Sequence, residues 1–196
     1  MISIGGIPDL SKLGEIRNNN KGTRMKIIAY RNSDDIDVQF LDEIAQEIVN
    51  SFKSKEITRV LTIEASGIAI ACAVARILKV PAVFCKKDKT SNVPEDVYSV
   101  QIHSFTHNQD YNVIVSKQFI EKGDKVLIVD DFLANGCAIE GLASLVELAG
   151  AQVVGAGIVI EKGFQGGGDR LRQKGIDVQS MAIVEKMSSK GIEFRN

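Results

Sequence analysis

Apolar positions along this 196-residue chain change their period in a regular order. Phe40, Leu41, Ile44, Ile48, Val49 and Phe52 recur every three or four residues behind Asp37, which predicts an amphipathic helix with Asp37 as its N-cap. Arg59–Ile63 then reads as a strand buried on both faces, and Gly67–Leu78 as a helix whose small residues suit close packing on a sheet. Val80–Cys85 is a further short strand. Tyr98–Phe105 and Tyr111–Val115 are rich in β-formers and pair as a hairpin. Lys125–Val129 is the clearest strand, Cys137–Ala149 the next helix with Gly150 as its C-cap, and Val153–Ile160 another apolar strand. Upstream, Lys26–Tyr30 has strand character. Residues 1–25 show no such period; Pro8, Gly14 and the turn-like Asn18–Asn20 interrupt them, and they are expected to form an arm of unknown role.

Strands alternating with helices predict an α/β fold, with a mostly parallel central sheet flanked by helices, spanning 26–196 as a single domain behind the arm. Ligands of such sheets bind outside the carboxyl ends of the strands, near a switch in strand order. The turns at Glu64, Asp130 and Glu161 are therefore the places to look for chemistry. Composition narrows the classes. Hydrophobic residues make up 44% and charged residues 25%, a globular balance, and the net charge of −1 gives no reason to expect nucleic acid or an acidic membrane as partner. The longest apolar runs, such as that around Ile68–Val74, are far too short for a membrane span, and no signal-like segment opens the chain. Cys72, Cys85 and Cys137 show neither metal-ligand spacing nor a disulfide framework, so a reduced, cytoplasmic setting is expected.

The richest segment is Val126-Leu-Ile-Val-Asp-Asp-Phe-Leu-Ala-Asn-Gly-Cys-Ala138. A buried strand meets two carboxylates, then a small-residue turn, then a helix. The backbone N–H groups of Ala134, Asn135, Gly136, Cys137 and Ala138 form a ready anion site at a helix N-terminus. Asp130 and Asp131 can accept hydrogen bonds from sugar hydroxyls or hold a metal. An anion beside a polyol is a sugar phosphate. A plain strand-to-helix connection with Asp131 as a cap accounts for the same spacing.

This segment resembles the phosphoribosyl pyrophosphate signature of type I phosphoribosyltransferases, and its Asp-Asp-Phe-Leu-Ala-Asn-Gly wording resembles the xanthine-specific branch. Leu61-Thr-Ile-Glu-Ala-Ser-Gly-Ile68 is similar to the family's pyrophosphate loop, Ser104-Phe-Thr106 to the triplet after its mobile loop, and Ile160-Glu-Lys-Gly-Phe-Gln165 to its purine-pocket segment. The resemblance implies the family fold, with a small hood and a mobile loop. It also implies an enzyme of purine salvage that transfers the phosphoribosyl group to N9 of a 6-oxo purine. Xanthine is the first candidate, guanine or hypoxanthine the next; adenine transfer, or a regulator that binds phosphoribosyl pyrophosphate without turnover, are the other readings. Mg2+ is the implied cofactor, bound mainly through phosphoribosyl pyrophosphate, and a homodimer the implied assembly. Asp130 and Asp131 are then the catalytic pair on the ribose, and 134–138 hold the 5′-phosphate. Glu64, Ala65, Ser66 and Gly67 cradle pyrophosphate, with Lys87 and Lys89 screening its charge; the run Lys86–Lys89 is equally a solvated charge cluster. Lys162, a donor-only ammonium, faces the purine oxygen, with Phe164 against the ring.

The front of the chain departs from that pattern. Family members carry Asp-Ser-Phe-Leu-Asn-His-Gln-Ile-Asp before the first long helix; here the stretch is Ala29-Tyr-Arg-Asn-Ser-Asp-Asp-Ile-Asp37. Without a gap, Ser33 falls at the family's base-contacting Asn and Lys26 at its leucine. Asn32 takes the Asn role if the register shifts by one. Gly166-Gly-Gly168 replaces a Pro-Gly-Arg type of sequence, which predicts a more flexible loop and a lost arginine contact. His103 and His107 read as surface residues without an evident carboxylate partner, and Cys137 as a passive small residue of a loop that works through its backbone.

Overall fold

The computed structural model describes residues 16–17, 24–25, 36–88, 95–104, 109–188 and 191–195. Within the arm, β1 (Ile16–Arg17) and β2 (Arg24–Met25) pair antiparallel. Helix α1 (Val38–Ser51) starts where the sequence places it: the Asp37 carboxylate accepts from the backbone N–H groups of Gln39 and Phe40 at 3.1 and 3.0 Å. Then follow β3 (Arg59–Ile63), α2 (Gly67–Leu78), β4 (Ala82–Asp88), the hairpin β5 (Val97–Ser104) and β6 (Gln109–Ser116), β7 (Lys125–Leu133), α3 (Cys137–Leu148), β8 (Gln152–Lys162), α4 (Gly167–Gln173), β9 (Val178–Ser188) and β10 (Gly191–Phe194). Gly150, with φ +69°, closes α3 as expected. Among the described residues no helix is long and apolar enough to cross a membrane.

The sheet order is β10-β9-β8-β7-β3-β4-β6-β5. Its five central strands are parallel, and antiparallel strands finish both edges. Burial on both faces explains the near-continuous apolar run Val126–Val129 of β7. One core joins Leu61, Ile128 and Ile158 to Ile139, Leu142 and Leu145 of α3. The other joins Val60, Leu127 and Val129 to α1 and α2. On β8, Gly155 and Gly157 let Phe52, the C-cap of α1, and Ile48 lie directly on the strand; a Cβ at either glycine would overlap those side chains.

Three strands run further than their apolar cores. Asp130–Leu133 extend β7, and Glu161 and Lys162 are the last residues of β8 rather than the start of a turn. Lys86–Asp88 extend β4, so Lys87 sits on a strand opposite Val113. The expected loose loop at Gly166–Gly168 is instead the start of α4, which the sequence reading missed along with β9 and β10. Gly166 takes φ +70°, a Cβ on Gly167 would strike the backbone of Ala134–Gly136, and one on Gly168 would strike the Glu161 carboxylate.

A buried ion pair lies beside this helix start. Glu161 is 0% exposed, and Arg172, one helical turn beyond Gly168, grips it with two parallel bonds of 3.0 and 2.6 Å. Ser180 Oγ donates to the same carboxylate at 2.5 Å. Asp169 extends the network to Arg172 and, at 2.7 and 2.9 Å, to Arg195. Removing one partner of a buried pair costs more than the pair contributes. Arg172→Met should therefore lower the unfolding free energy at pH 7 by about 3–5 kcal/mol in urea titrations. A loss below about 1 kcal/mol would mean that Ser180 and Asp169 suffice for Glu161.

Candidate active site

The chain leaves β3 toward β4, builds the edge hairpin, and returns to β7 on the opposite side of β3. Such a reversal is where α/β sheets take ligands, outside the carboxyl ends of β3 and β7. The turn Glu64–Ser66 leads from β3 into α2, and the bend Ala134–Gly136 leads from β7 into α3. Each helix starts at these strand ends, where its first-turn N–H groups have no intrahelical acceptor. The two anion-binding segments read from the sequence are thus neighbours.

Gly136 takes φ +85° to turn the chain into α3. The Asn135 carboxamide oxygen accepts from the Cys137 N–H at 3.2 Å. Behind the bend, Gly167 touches its backbone and the Arg170 guanidinium donates to the Asn135 carbonyl, so α4 buttresses the loop. The Glu64–Ala65 peptide is cis. Glu64 Oε1 accepts from the Lys87 N–H at 2.7 Å, tying the β3 turn to β4. A Cβ on Gly67 would overlap the Thr62 hydroxyl and lie 3.2 Å from Asp130 Oδ1, so only glycine lets α2 start this close to the acidic pair. Thr62 Oγ1 is itself buried without a hydrogen-bond partner among the described residues.

Asp130 is 6% exposed. Its Oδ1 accepts from the Asp131 N–H at 3.0 Å, and Asp131 Oδ1 accepts from the Phe132 N–H at 2.9 Å. Burial, and then the neighbouring Asp131 charge, push the Asp130 carboxyl well above its ordinary range; the Lys87 ammonium works against them. Lys162 rises beside the pair, its ammonium 5.6 Å from the centre of the Phe132 ring. Burial lowers its pKa, and Asp131 opposes that shift.

The structure thus gathers Asp130, Asp131, Ala134–Ala138, Glu64–Gly67, Lys87 and Lys162 around one crevice. Phe164 stands 48% exposed on a short 3-10 turn after β8. Lys26, Asn32, Ser33 and Lys89 lie outside the described residues, as does most of the segment read as a mobile loop. His107 also lies outside them, whereas His103 has the carboxylate partner the sequence did not reveal, Asp110 at 2.6 Å across the hairpin. Tyr111 was read only as a strand residue; burial, then the charges of Asp130 and Cys137, raise its pKa, which marks it as a neighbour of the site.

Two helix N-termini, an acidic pair and a cationic donor at one strand-order reversal define an α/β protein built for a phosphorylated sugar. The phosphoribosyl transferase domain matches residues 36–189, and the chain belongs to that family, as the four motifs implied. It is 49% identical over 169 residues to a xanthine phosphoribosyltransferase of Lachnoclostridium phytofermentans, covering 86% of this chain and 87% of that one. It is 52% identical over 161 residues to one of Clostridium novyi, covering 82% and 85%. Among solved structures, adenine phosphoribosyltransferase from Rhodothermus marinus superposes with a TM-score of 0.66 at 27% identity, over 74% of this chain and 80% of that one. The Giardia lamblia enzyme complexed with 9-deazaadenine gives 0.67 at 26%, over 76% and 82%.

The Asp130 environment sets a pH dependence. Below the ordinary carboxylate range the group is protonated both folded and unfolded, and it costs nothing. As pH climbs from that range through the raised native value, the folded state retains a proton that the unfolded chain releases, so stability falls. Asp130→Asn should raise Tm at pH 8 by roughly 2–8 °C, and the gain should vanish near pH 4. An unchanged or lower Tm at pH 8 would show that the carboxylate is already compensated.

Proposed function

We propose that this chain transfers the 5-phosphoribosyl group of phosphoribosyl pyrophosphate to N9 of xanthine, giving XMP and pyrophosphate, in purine salvage. The observation that carries the choice of a 6-oxo purine is Lys162. Its ammonium stands half-buried at the end of β8, between the Asp131 charge and the Phe132 ring. An ammonium donates and cannot accept, so it suits an exocyclic oxygen and disfavours the 6-amino group of adenine. The relatives named for xanthine are also far more similar in sequence than the adenine enzymes that share the fold.

In this reading the bond from ribose C1′ to the pyrophosphate oxygen breaks as N9 bonds to C1′. Positive charge builds on the sugar ring, as in glycoside chemistry. Asp130 and Asp131 hold the ribose hydroxyls and favour that charge through their negative potential. Burial favours the neutral form of Asp130 in the free chain, and the positive charge growing on the ring favours its ionised form. The 5′-phosphate takes the N–H groups of 134–138, replacing the Asn135 oxygen at Cys137. Pyrophosphate lies along Glu64–Gly67, with Lys87 and Lys89 on its charge, and Phe164 against the base. Lys26 and Asn32 or Ser33 complete the base pocket.

Among the described residues no group of three or more His, Cys, Asp and Glu side chains could hold a metal ion. Mg2+ would be held mainly through phosphoribosyl pyrophosphate, with Asp130 and Asp131 the protein groups beside it, and would supply positive charge against the leaving pyrophosphate. A cytoplasmic homodimer belongs to the same proposal; the free state of Cys72, Cys85 and Cys137 supports the reducing compartment.

Nucleotide formation from phosphoribosyl pyrophosphate and Mg2+ with xanthine, guanine, hypoxanthine or adenine tests the reading. Xanthine should exceed adenine in kcat/KM by at least about a hundredfold. AMP as the fastest product, or binding of phosphoribosyl pyrophosphate without turnover of any base, would overturn it. Lys162→Met should raise KM for xanthine about 10- to 100-fold and leave KM for phosphoribosyl pyrophosphate almost unchanged. An unchanged base preference would remove Lys162 from the pocket.

A further inference from the structure

We infer that Tyr111 is a positioning residue of the phosphoribosyl site, whose ring holds the Lys87 ammonium at the crevice where pyrophosphate lies. The inference rests on the reading that the crevice takes phosphoribosyl pyrophosphate.

The fold brings Tyr111 there through strand register. Tyr111 on β6 pairs with Ile102 on β5, so the two side chains share one face of the hairpin. Ile102 is buried against Gly141 of α3, where any Cβ would overlap it. Cys137 lies one turn earlier on the same helix face, at the first position of α3. Tyr111 and Cys137 both pack on the same core cluster, so the ring stands beside the phosphate loop.

The opposite neighbour is β4. Lys87 pairs with Val113, two residues from Tyr111, which puts Lys87 and Tyr111 diagonally on one face. The Lys87 ammonium lies 5.8 Å from the centre of the Tyr111 ring, within cation–π range. The Lys87 backbone is fixed as well, through its N–H bond to Glu64 at the pyrophosphate turn. Its charge reaches Asp130. A lysine on a free stem loses rotamer entropy when it engages a ligand. The ring removes part of that loss in advance. Leucine would also fill the space between hairpin and helix, but it has no face that attracts a cation.

Calorimetric binding of phosphoribosyl pyrophosphate with Mg2+, without base, is the test. Tyr111→Leu should weaken binding on the order of fivefold. Tyr111→Phe should match the wild type, and KM for xanthine should barely change in either. In a Lys87→Met background, Tyr111→Leu should add no further loss. Tyr111→Met serves as the second variant where leucine does not fold. Losses that multiply in the double variant, a Tyr111→Phe loss as large as that of Tyr111→Leu, or unaltered affinity in Tyr111→Leu would each overturn the inference. Wild-type protein that binds no phosphoribosyl pyrophosphate would instead sink the reading of the crevice on which it stands.

Discussion

Asp130 places a carboxylate in the interior at the end of a strand that is apolar on both faces, and the surrounding architecture is organised around that cost. A buried charge is tolerable when paired and hydrogen-bonded. The adjacent strand β8 shows the paired solution. Glu161 stands next to β7, opposite Leu133, equally buried, and Arg172 and Ser180 occupy its oxygens. Asp130 accepts the N–H of Asp131 and has a second carboxylate as neighbour, with the Lys87 ammonium as partial compensation. One carboxylate is neutralised by the fold and serves it. The other is left raised in pKa at the mouth of a crevice, where hydroxyl donors and a developing cation can complete its environment.

This contrast explains what the sequence discloses. The acidic pair and the turns into α2 and α3 were legible as positions because each belongs to a local strand–turn–helix unit, and the spans of β3 and α2 matched the reading residue for residue. The lengths of β4, β7 and β8 were not legible. Their last residues, Lys86–Asp88, Asp130–Leu133 and Glu161–Lys162, carry charge at the site and break the apolar pattern that marks a strand. Helix α4 was hidden for a different reason. It opens on glycines, poor helix formers, whose identity is set by contact with Ala134–Gly136 and with Glu161, residues distant in sequence. Tyr111 gave no local signal at all, since its place comes from the register of β6 with both β5 and β4.

The crevice therefore has two kinds of wall. Around 134–138 and Gly67 the chain is fixed by backbone contact: Gly167 against the bend, Gly67 against Thr62, and Arg170 on the Asn135 carbonyl. Added atoms have no room there, so these parts resist change as tightly packed interiors do. Around Lys87 and Lys162 the groups are long side chains resting on the rings of Tyr111 and Phe132. In the proposed reading the 5′-phosphate meets N–H groups fixed by close contact, whereas pyrophosphate and the base meet ammonium groups that an aromatic face steadies without enclosing them. Packed backbone and ring-steadied lysines are thus two ways of ordering polar groups before the ligand arrives.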